Sequence, residues 1–144
     1  MKEILQSVLI LDDEDAVRES FMAYFEDRGW SVIGAATAED ALALLKHNSP
    51  NGAIVDIRLP GIDGNEFIRQ ATKTHPHLTC IICTGSPEYH PPTDIASLPN
   101  TYGIIFAKPV IDMPSMEQEL LKQIHRIALE EAIHERKAAY HPRH

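Results

Sequence analysis

The sequence predicts an α/β fold: a doubly wound, five-stranded parallel sheet with helices on both faces. Three observations carry that prediction. Short apolar runs alternate with helix-patterned segments five times, in units of about 20 to 25 residues, and parallel neighbours need such helical crossovers. The runs are apolar throughout rather than alternating, as in strands covered on both faces. No repeat, low-complexity tract or clear linker interrupts the pattern across the 144 residues.

The first strand is Ser7-Val8-Leu9-Ile10-Leu11, and it ends in four consecutive acids, Asp12-Asp13-Glu14-Asp15. Such a run needs full solvation or a cation. Val17, Phe21, Tyr24 and Phe25 then recur at helical spacing, and Gly29 supplies a stop. Residues 30–36 form a second strand, more exposed than the first. Thr37 with Asp40 three residues on marks a helix start, with Ala41, Leu42, Leu44 and Leu45 on one side. A loop through Pro50 leads to the third strand, Ala53 to Val55, which ends on Asp56. Turn chemistry follows at once in Pro60-Gly61 and Asp63-Gly64. Residues 65–74 carry Phe67, Ile68 and Ala71 at helical spacing. Residues 78–83 make a fourth strand with Thr84-Gly85 at its end. Pro87, Pro91, Pro92 and Pro99 leave room only for a short helix near 93–98. Residues 102–107 make the fifth strand, closed by Lys108-Pro109. Ser115 with Gln118 can open a last helix that runs to about Ala139, with Met116, Leu120, Ile124 and Ile127 as its apolar stripe.

A chain of this length buries a full core as one domain without disulfides or metals. It is 44% hydrophobic and 24% charged, with Lys plus Arg 13 against Asp plus Glu 21, for a net charge of −8. That balance argues against holding nucleic acid through the overall field. No apolar run approaches the roughly 20 residues that cross a bilayer, and no signal-peptide pattern opens the chain. A cytoplasmic setting without membrane contact is the expectation. Cys80 and Cys83 flank Ile81-Ile82, so their C-x-x-C spacing reads as two core thiols on a strand rather than a redox or zinc motif.

In a parallel sheet the carboxyl ends of all strands share one rim, where open α/β sheets hold ligands. Asp12, Asp13, Asp56, Thr84 and Lys108 therefore converge from distant parts of the chain. Three carboxylates suit a hard divalent cation, most naturally Mg²⁺. A lysine opposite them neutralises charge and can grip a phosphoryl oxygen, and a threonine hydroxyl can bond another. Phosphoryl transfer to a carboxylate needs an in-line nucleophile, a metal and a cation on the equatorial oxygens.

The ordered set Asp12-Asp13, Asp56 followed by Leu59-Pro60-Gly61-Ile62-Asp63-Gly64, Thr84-Gly85 and Lys108-Pro109 resembles the receiver domain of two-component response regulators, the CheY-like family. The resemblance covers Ser7 to roughly Arg126. It implies the flavodoxin-like strand order 2-1-3-4-5. It further implies that Asp56 is a phosphoacceptor for the phosphohistidine of a histidine kinase or phosphotransfer protein. By the same resemblance Asp13 and Asp56 bind Mg²⁺ directly, Asp12 acts mainly through water, and the backbone carbonyl of Arg58 completes the protein's share. Thr84 is implied to swing toward the phosphoryl group and Lys108 to pair with it, with a cis peptide before Pro109. A phosphorylated Asp56 then biases a surface made of the fourth helix, fifth strand and fifth helix, so the module acts through protein contacts and is not an enzyme.

Three features depart from that pattern. Members usually carry an aromatic three residues before the lysine; here the position is Ile105, and Phe106 faces the other way, into the core. The proline-rich segment 87–99 replaces a regular fourth helix, and Tyr89 and His90 in it read as solvated loop residues. The last helix outruns a receiver's needs, which divides the chain into a receiver domain, residues 1–128, and an extension, residues 129–144. That extension is read as a dimerising helix, a connector to an output domain, or a frayed tail, and the terminal His141-Pro142-Arg143-His144 as tail. Two other classes compete. A haloacid-dehalogenase-type phosphatase needs an Asp two residues after the nucleophile, where this chain has Arg58. A receiver-like scaffold that works without phosphorylation would not need the full acid set with Thr84 and Lys108.

Overall fold

The computed structural model describes residues 6–99 and 101–139, with the backbone alone described for 101–104. Strands β1 (Ser7–Leu11), β2 (Ser31–Ala35), β3 (Gly52–Val55), β4 (Thr79–Thr84) and β5 (Thr101–Ala107) pair in parallel in the order β2-β1-β3-β4-β5. Helices α1 (Asp15–Asp27), α2 (Ala38–Leu44), α3 (Gly64–Thr74) and α4 (Thr93–Ala96) link them, and α5 (Met113–Ala139) follows. The predicted fold class and strand order are the observed ones. The terminal histidines at 141 and 144 lie outside the described residues.

Alternation along each strand sorts the core into two layers. Val8, Ile10, Ile54, Ile81 and Cys83 face α1 and α5, against Phe21, Phe25, Met116, Leu120 and Ile124. Leu9, Leu11, Ala53, Val55, Cys80 and Ile82 face the other way, against Phe67, Ile68 and Ala71 of α3, Ala38 and Ala41 of α2, and Ile95 of α4. The two cysteines thus lie in opposite layers, where burial pushes both thiols up to about 12. At that value neither is a thiolate at neutral pH, in keeping with core thiols. Ile105 and Phe106 likewise split between the layers, Phe106 on the α1/α5 side.

Local chemistry sets the helix ends. The Thr37 side chain accepts from the Asp40 amide, and Asp63 accepts from the Glu66 amide, capping α2 and α3. Gly29 ends α1 with φ +89°, a conformation other residues rarely adopt. The last helix starts earlier than its Ser115-Gln118 signature predicts. Asp112 takes the capping role, accepting from the Ser115 amide at 3.0 Å and the Ser115 hydroxyl at 2.7 Å, so Pro114 falls in the first turn, where its missing N–H is harmless. Tyr89 is not the solvated loop residue expected. It packs against the α3 layer, and its hydroxyl donates to Asn65 Oδ1 at 2.6 Å.

Two contacts fix how the helices meet the sheet. Gly64, the first residue of α3, approaches the end of β3 so closely that a Cβ there would fall on the Asp56 carbonyl oxygen and lie 2.8 Å from Ile57 Cα. On the other face, Glu117 of α5 is 4% exposed and accepts from three donors: Trp30 Nε1 at 2.8 Å, Tyr24 Oη at 3.0 Å and Arg28 Nε at 3.0 Å. Burial, then the bond to Glu117, raises the Tyr24 phenol. One buried carboxylate therefore joins α5 to α1 and to the start of β2.

Both contacts make measurable predictions. Glu117→Ala strands the buried indole N–H and should cost about 2–4 kcal/mol in urea unfolding. Arg28→Ala, which removes a side chain 60% exposed, should cost less than about 1 kcal/mol; equal losses from the two would contradict the network. Gly64→Ala should cost about 1–3 kcal/mol through overpacking. Gly85→Ala should stay within about 0.5 kcal/mol, because nothing lies within 4 Å of a Cβ at Gly85.

Candidate functional site

Each site residue is delivered by a strand end. The sheet's hydrogen bonding continues one residue past β1 and β3: the Asp12 amide donates to the Ala35 carbonyl at 3.2 Å, and the Asp56 amide to the Leu11 carbonyl at 2.9 Å. Both acids are consequently held by backbone at the rim, Asp12 at 2% exposure and Asp56 at 5%. Asp13, one residue on, is exposed. The Lys108 amide donates to the Thr84 carbonyl at 3.0 Å, which registers the β5 end beside the β4 end. The peptide between Lys108 and Pro109 is cis.

These residues meet. Asp12, Asp13 and Asp56 each offer a carboxylate oxygen within 4.8 Å of the others. Lys108 Nζ lies 2.6 Å from Asp12 Oδ2 and 3.2 Å from Asp56 Oδ2. Thr84, Arg58 and Lys108 line a cleft of about 370 Å³ with Asp13 and Asp56. The Thr84 hydroxyl accepts from the Ser86 amide at 3.1 Å. The structure thus brings together all six residues singled out from the sequence.

Three neighbours were not among the residues singled out from the sequence. Glu14 and Ser86 also line the cleft. Arg18 donates from Nη1 to the Asp12 carbonyl at 3.0 Å, while its other end pairs with Asp15. A helix-borne cation three residues past the acid run was the signal available for Arg18. Nothing local marks Ser86.

The electrostatics follow from three acids facing one ammonium. Asp56 is pushed up to about 6: burial is the largest cause, Lys108 opposes it, and the negative charges of Asp12 and Asp13 add to the rise. Burial also works against the Lys108 ammonium, but its bonds to Asp12 and the charges of Asp12 and Asp56 outweigh that and raise it. Lys108 is therefore a fixed cation, whereas Asp56 is an acid short of positive charge. The oxygen-only donor set and this deficit fit a hard divalent cation. Among the described residues, no other group of three metal-binding side chains converges.

Comparison with known proteins agrees. The sequence profile of the response regulator receiver domain matches residues 8–98. The transcriptional regulatory protein AfsQ1 of Streptomyces coelicolor is 37% identical over 70 residues, covering 49% of this chain and 31% of that protein. The response regulator MprA of a Mycobacterium species is 35% identical over 77 residues, covering 54% of this chain and 34% of that protein. The matched region thus spans about a third of the length of these curated relatives. Among solved structures, a CheY-like response regulator receiver domain protein from Methanospirillum hungatei superposes with TM-score 0.77 at 28% identity, over 88% of this chain and 99% of that one. TrrA from Thermotoga maritima, solved in complex with Mg²⁺ and BeF, shares the fold with TM-score 0.70 at 22% identity, over 83% of this chain and 99% of that one. With the profile covering most of its length, the chain belongs to the response regulator receiver domain family.

Proposed function

We propose that this receiver domain accepts a phosphoryl group on Asp56 from the phosphohistidine of a histidine kinase or phosphotransfer protein. The observation that carries the reading is one buried carboxylate, Asp56, flanked by two further acids and touched by the Lys108 ammonium. A carboxylate oxygen of Asp56 attacks phosphorus, the phosphorus–nitrogen bond breaks, and the imidazole leaves with the bonding pair and takes up a proton. Lys108 pairs with the phosphoryl oxygens, and the Thr84 hydroxyl donates to another. Asp12, Asp13, Asp56 and the Arg58 backbone carbonyl would hold Mg²⁺, which supplies the positive charge that three acids and one lysine lack. Gly85 leaves the cleft open, since no atom lies within 4 Å of where its Cβ would be.

The donor docks beside this cleft. A neighbouring groove of about 490 Å³ is lined by Ala16, Val17 and Phe21 of α1 and by Val110 and Met113, and it shares Glu14, Gly85 and Lys108 with the acid cleft. Ile111, next to Val110 in the chain, is 93% exposed. An apolar helix carrying the phosphohistidine suits that groove. Receiver domains are generally not enzymes, and this one signals through contacts rather than turnover. The receiver occupies residues 1–128. Within α5, Ile127 is the last buried apolar residue, whereas Leu129 and Ile133 are 62% and 46% exposed. The extension, residues 129–144, therefore contacts a second copy or an output domain. Among the described residues no helix is long and apolar enough to cross a membrane; a cytoplasmic setting, without direct nucleic-acid contact, completes the proposal.

Two experiments test it. After incubation with Mg²⁺ and acetyl phosphate, intact mass should show a labile phosphoryl adduct on the wild type and none on Asp56→Asn. No adduct on a folded, Mg²⁺-binding wild type would overturn the proposal. The second uses unfolding in the presence of a chelator. A carboxyl that holds its proton up to about 6 binds protons more readily folded than unfolded, so low pH favours the folded form. That contribution is lost as pH rises through about 6. Asp56→Asn should therefore be more stable than wild type at pH 7.5, by about 1–3 kcal/mol, with the difference shrinking toward pH 4. A difference independent of pH would contradict a strained acid.

A further inference from the structure

The segment that leaves β4 is bonded back to the fold through a continuous series of contacts. Thr84 Oγ1 accepts from the Ser86 amide at 3.1 Å. The Ser86 carbonyl accepts from the Tyr89 amide at 3.3 Å, closing a turn through Pro87. The Tyr89 hydroxyl then donates to Asn65 Oδ1 at 2.6 Å. Asn65 is the second residue of α3, directly after Gly64, whose close approach fixes it against Asp56. Four residues link a hydroxyl in the acid cleft to the first turn of α3.

A second tie lies further along. The Arg69 guanidinium forks onto Asp94 of α4, Nε to Oδ2 at 2.6 Å and Nη2 to Oδ1 at 3.2 Å. Its side chains are 34% and 58% exposed, so it contributes little on its own. Tyr89 is the better protected tie. Its ring packs on the same layer as Ile105, and burial, then the charge of Asp63, raises its phenol, which stays a donor at neutral pH. The Ile105 side chain carries no group that can make or break a hydrogen bond.

We propose that Tyr89 is the readout residue of this receiver: a Thr84 hydroxyl that turns toward a phosphoryl group on Asp56 gives up the Ser86 amide, the Ser86–Tyr89 turn loosens, and the Tyr89–Asn65 bond releases residues 85–98 from α3. This rests on the phosphoacceptor reading above and specifies its regulation. The segment is fitted to respond. Its only helix is one turn, Thr93–Ala96, too short to persist without its anchors. Pro87, Pro91 and Pro92 restrict its backbone, so loss of one bond shifts the segment between few arrangements rather than fraying it. Coupling of this kind is reciprocal: whatever phosphorylation does to the latch, the latch does to phosphorylation.

Hydrogen exchange read by mass spectrometry on the full chain tests the proposal, with and without Mg²⁺ and acetyl phosphate. In the wild type the amides of residues 86–90 should exchange roughly 2- to 10-fold faster once the adduct forms, the range expected for one hydrogen bond. Tyr89→Phe keeps the ring and loses only the hydroxyl. It should show that acceleration without the donor and little further change with it. Asn65→Ala, which leaves the loop's own sequence intact, should do the same, and the two substitutions together should not add. An adduct on wild type with unchanged exchange at 86–90 would overturn the readout while leaving the phosphoacceptor standing. Wild-type exchange in Tyr89→Phe without the donor would overturn the latch. Absence of any wild-type adduct would instead overturn the phosphoacceptor reading, and the coupling with it.

Discussion

Two carboxylates and one ammonium packed together at the rim of a parallel sheet set the terms for the rest of this molecule. Asp12 and Asp56 are almost wholly buried, and an ionised acid in that position is tolerated only with a partner. Lys108 is that partner for both. Because it divides its charge between them, neither deficit is fully met, and Asp56 stays an acid pushed up to about 6. A site left short of positive charge favours any ligand that supplies it. The same imbalance makes the structure responsive, since a change at Asp56 cannot be absorbed by solvent and must be answered by the groups around it.

Holding that imbalance is work for the backbone. The acids sit one residue past β1 and β3, where cross-strand hydrogen bonds still fix the main chain. The lysine's backbone is fixed in turn by Thr84. Gly64 lets α3 begin in contact with the Asp56 peptide, so the main chain of Asp56 is clamped from the helix side too. The opposite layer is rigidified by Glu117, which binds α5 to α1 through three donors. A buried carboxylate with both its oxygens engaged is itself a specifying interaction, because any slip of α5 along α1 would leave donors and charge unpaired.

Much of this was legible in the sequence, for physical reasons that differ from residue to residue. The strands were readable because a parallel strand is covered on both faces and must be apolar throughout. Asp12, Asp56 and Lys108 were readable because each follows such a strand directly, and strand ends share a rim. Glu117 was not, since a glutamate in a polar-faced helix looks solvated and its donors lie some ninety residues away. Gly64 was read as turn chemistry, when what demands glycine there is a tertiary approach that no local pattern records. The start of α5 was misplaced because Asp112 and Ser115 are both good caps, and the choice between them lies in how the β5–α5 connection reaches the sheet. Tyr89 was hidden for the same reason: its partner belongs to another element.

The replacement of an aromatic by Ile105 on β5 then acquires a physical sense. A switch needs a group that holds one arrangement and can be released from it at modest cost. An isoleucine packed on a strand offers only dispersion contacts and has no side-chain hydrogen bond to make or lose. A hydroxyl on a partly buried ring is different, because its hydrogen bond is either made or lost, and one such bond shifts an equilibrium by about a factor of ten or less. That modesty suits a segment built of one helical turn and several prolines, which adds Ile95 to the α3 layer but no strand to the sheet. The α1/α5 layer draws no residue from 85–98, so its packing does not depend on that segment. The proposed readout thereby acts on one face of the sheet and leaves the other, with its Glu117 network, untouched.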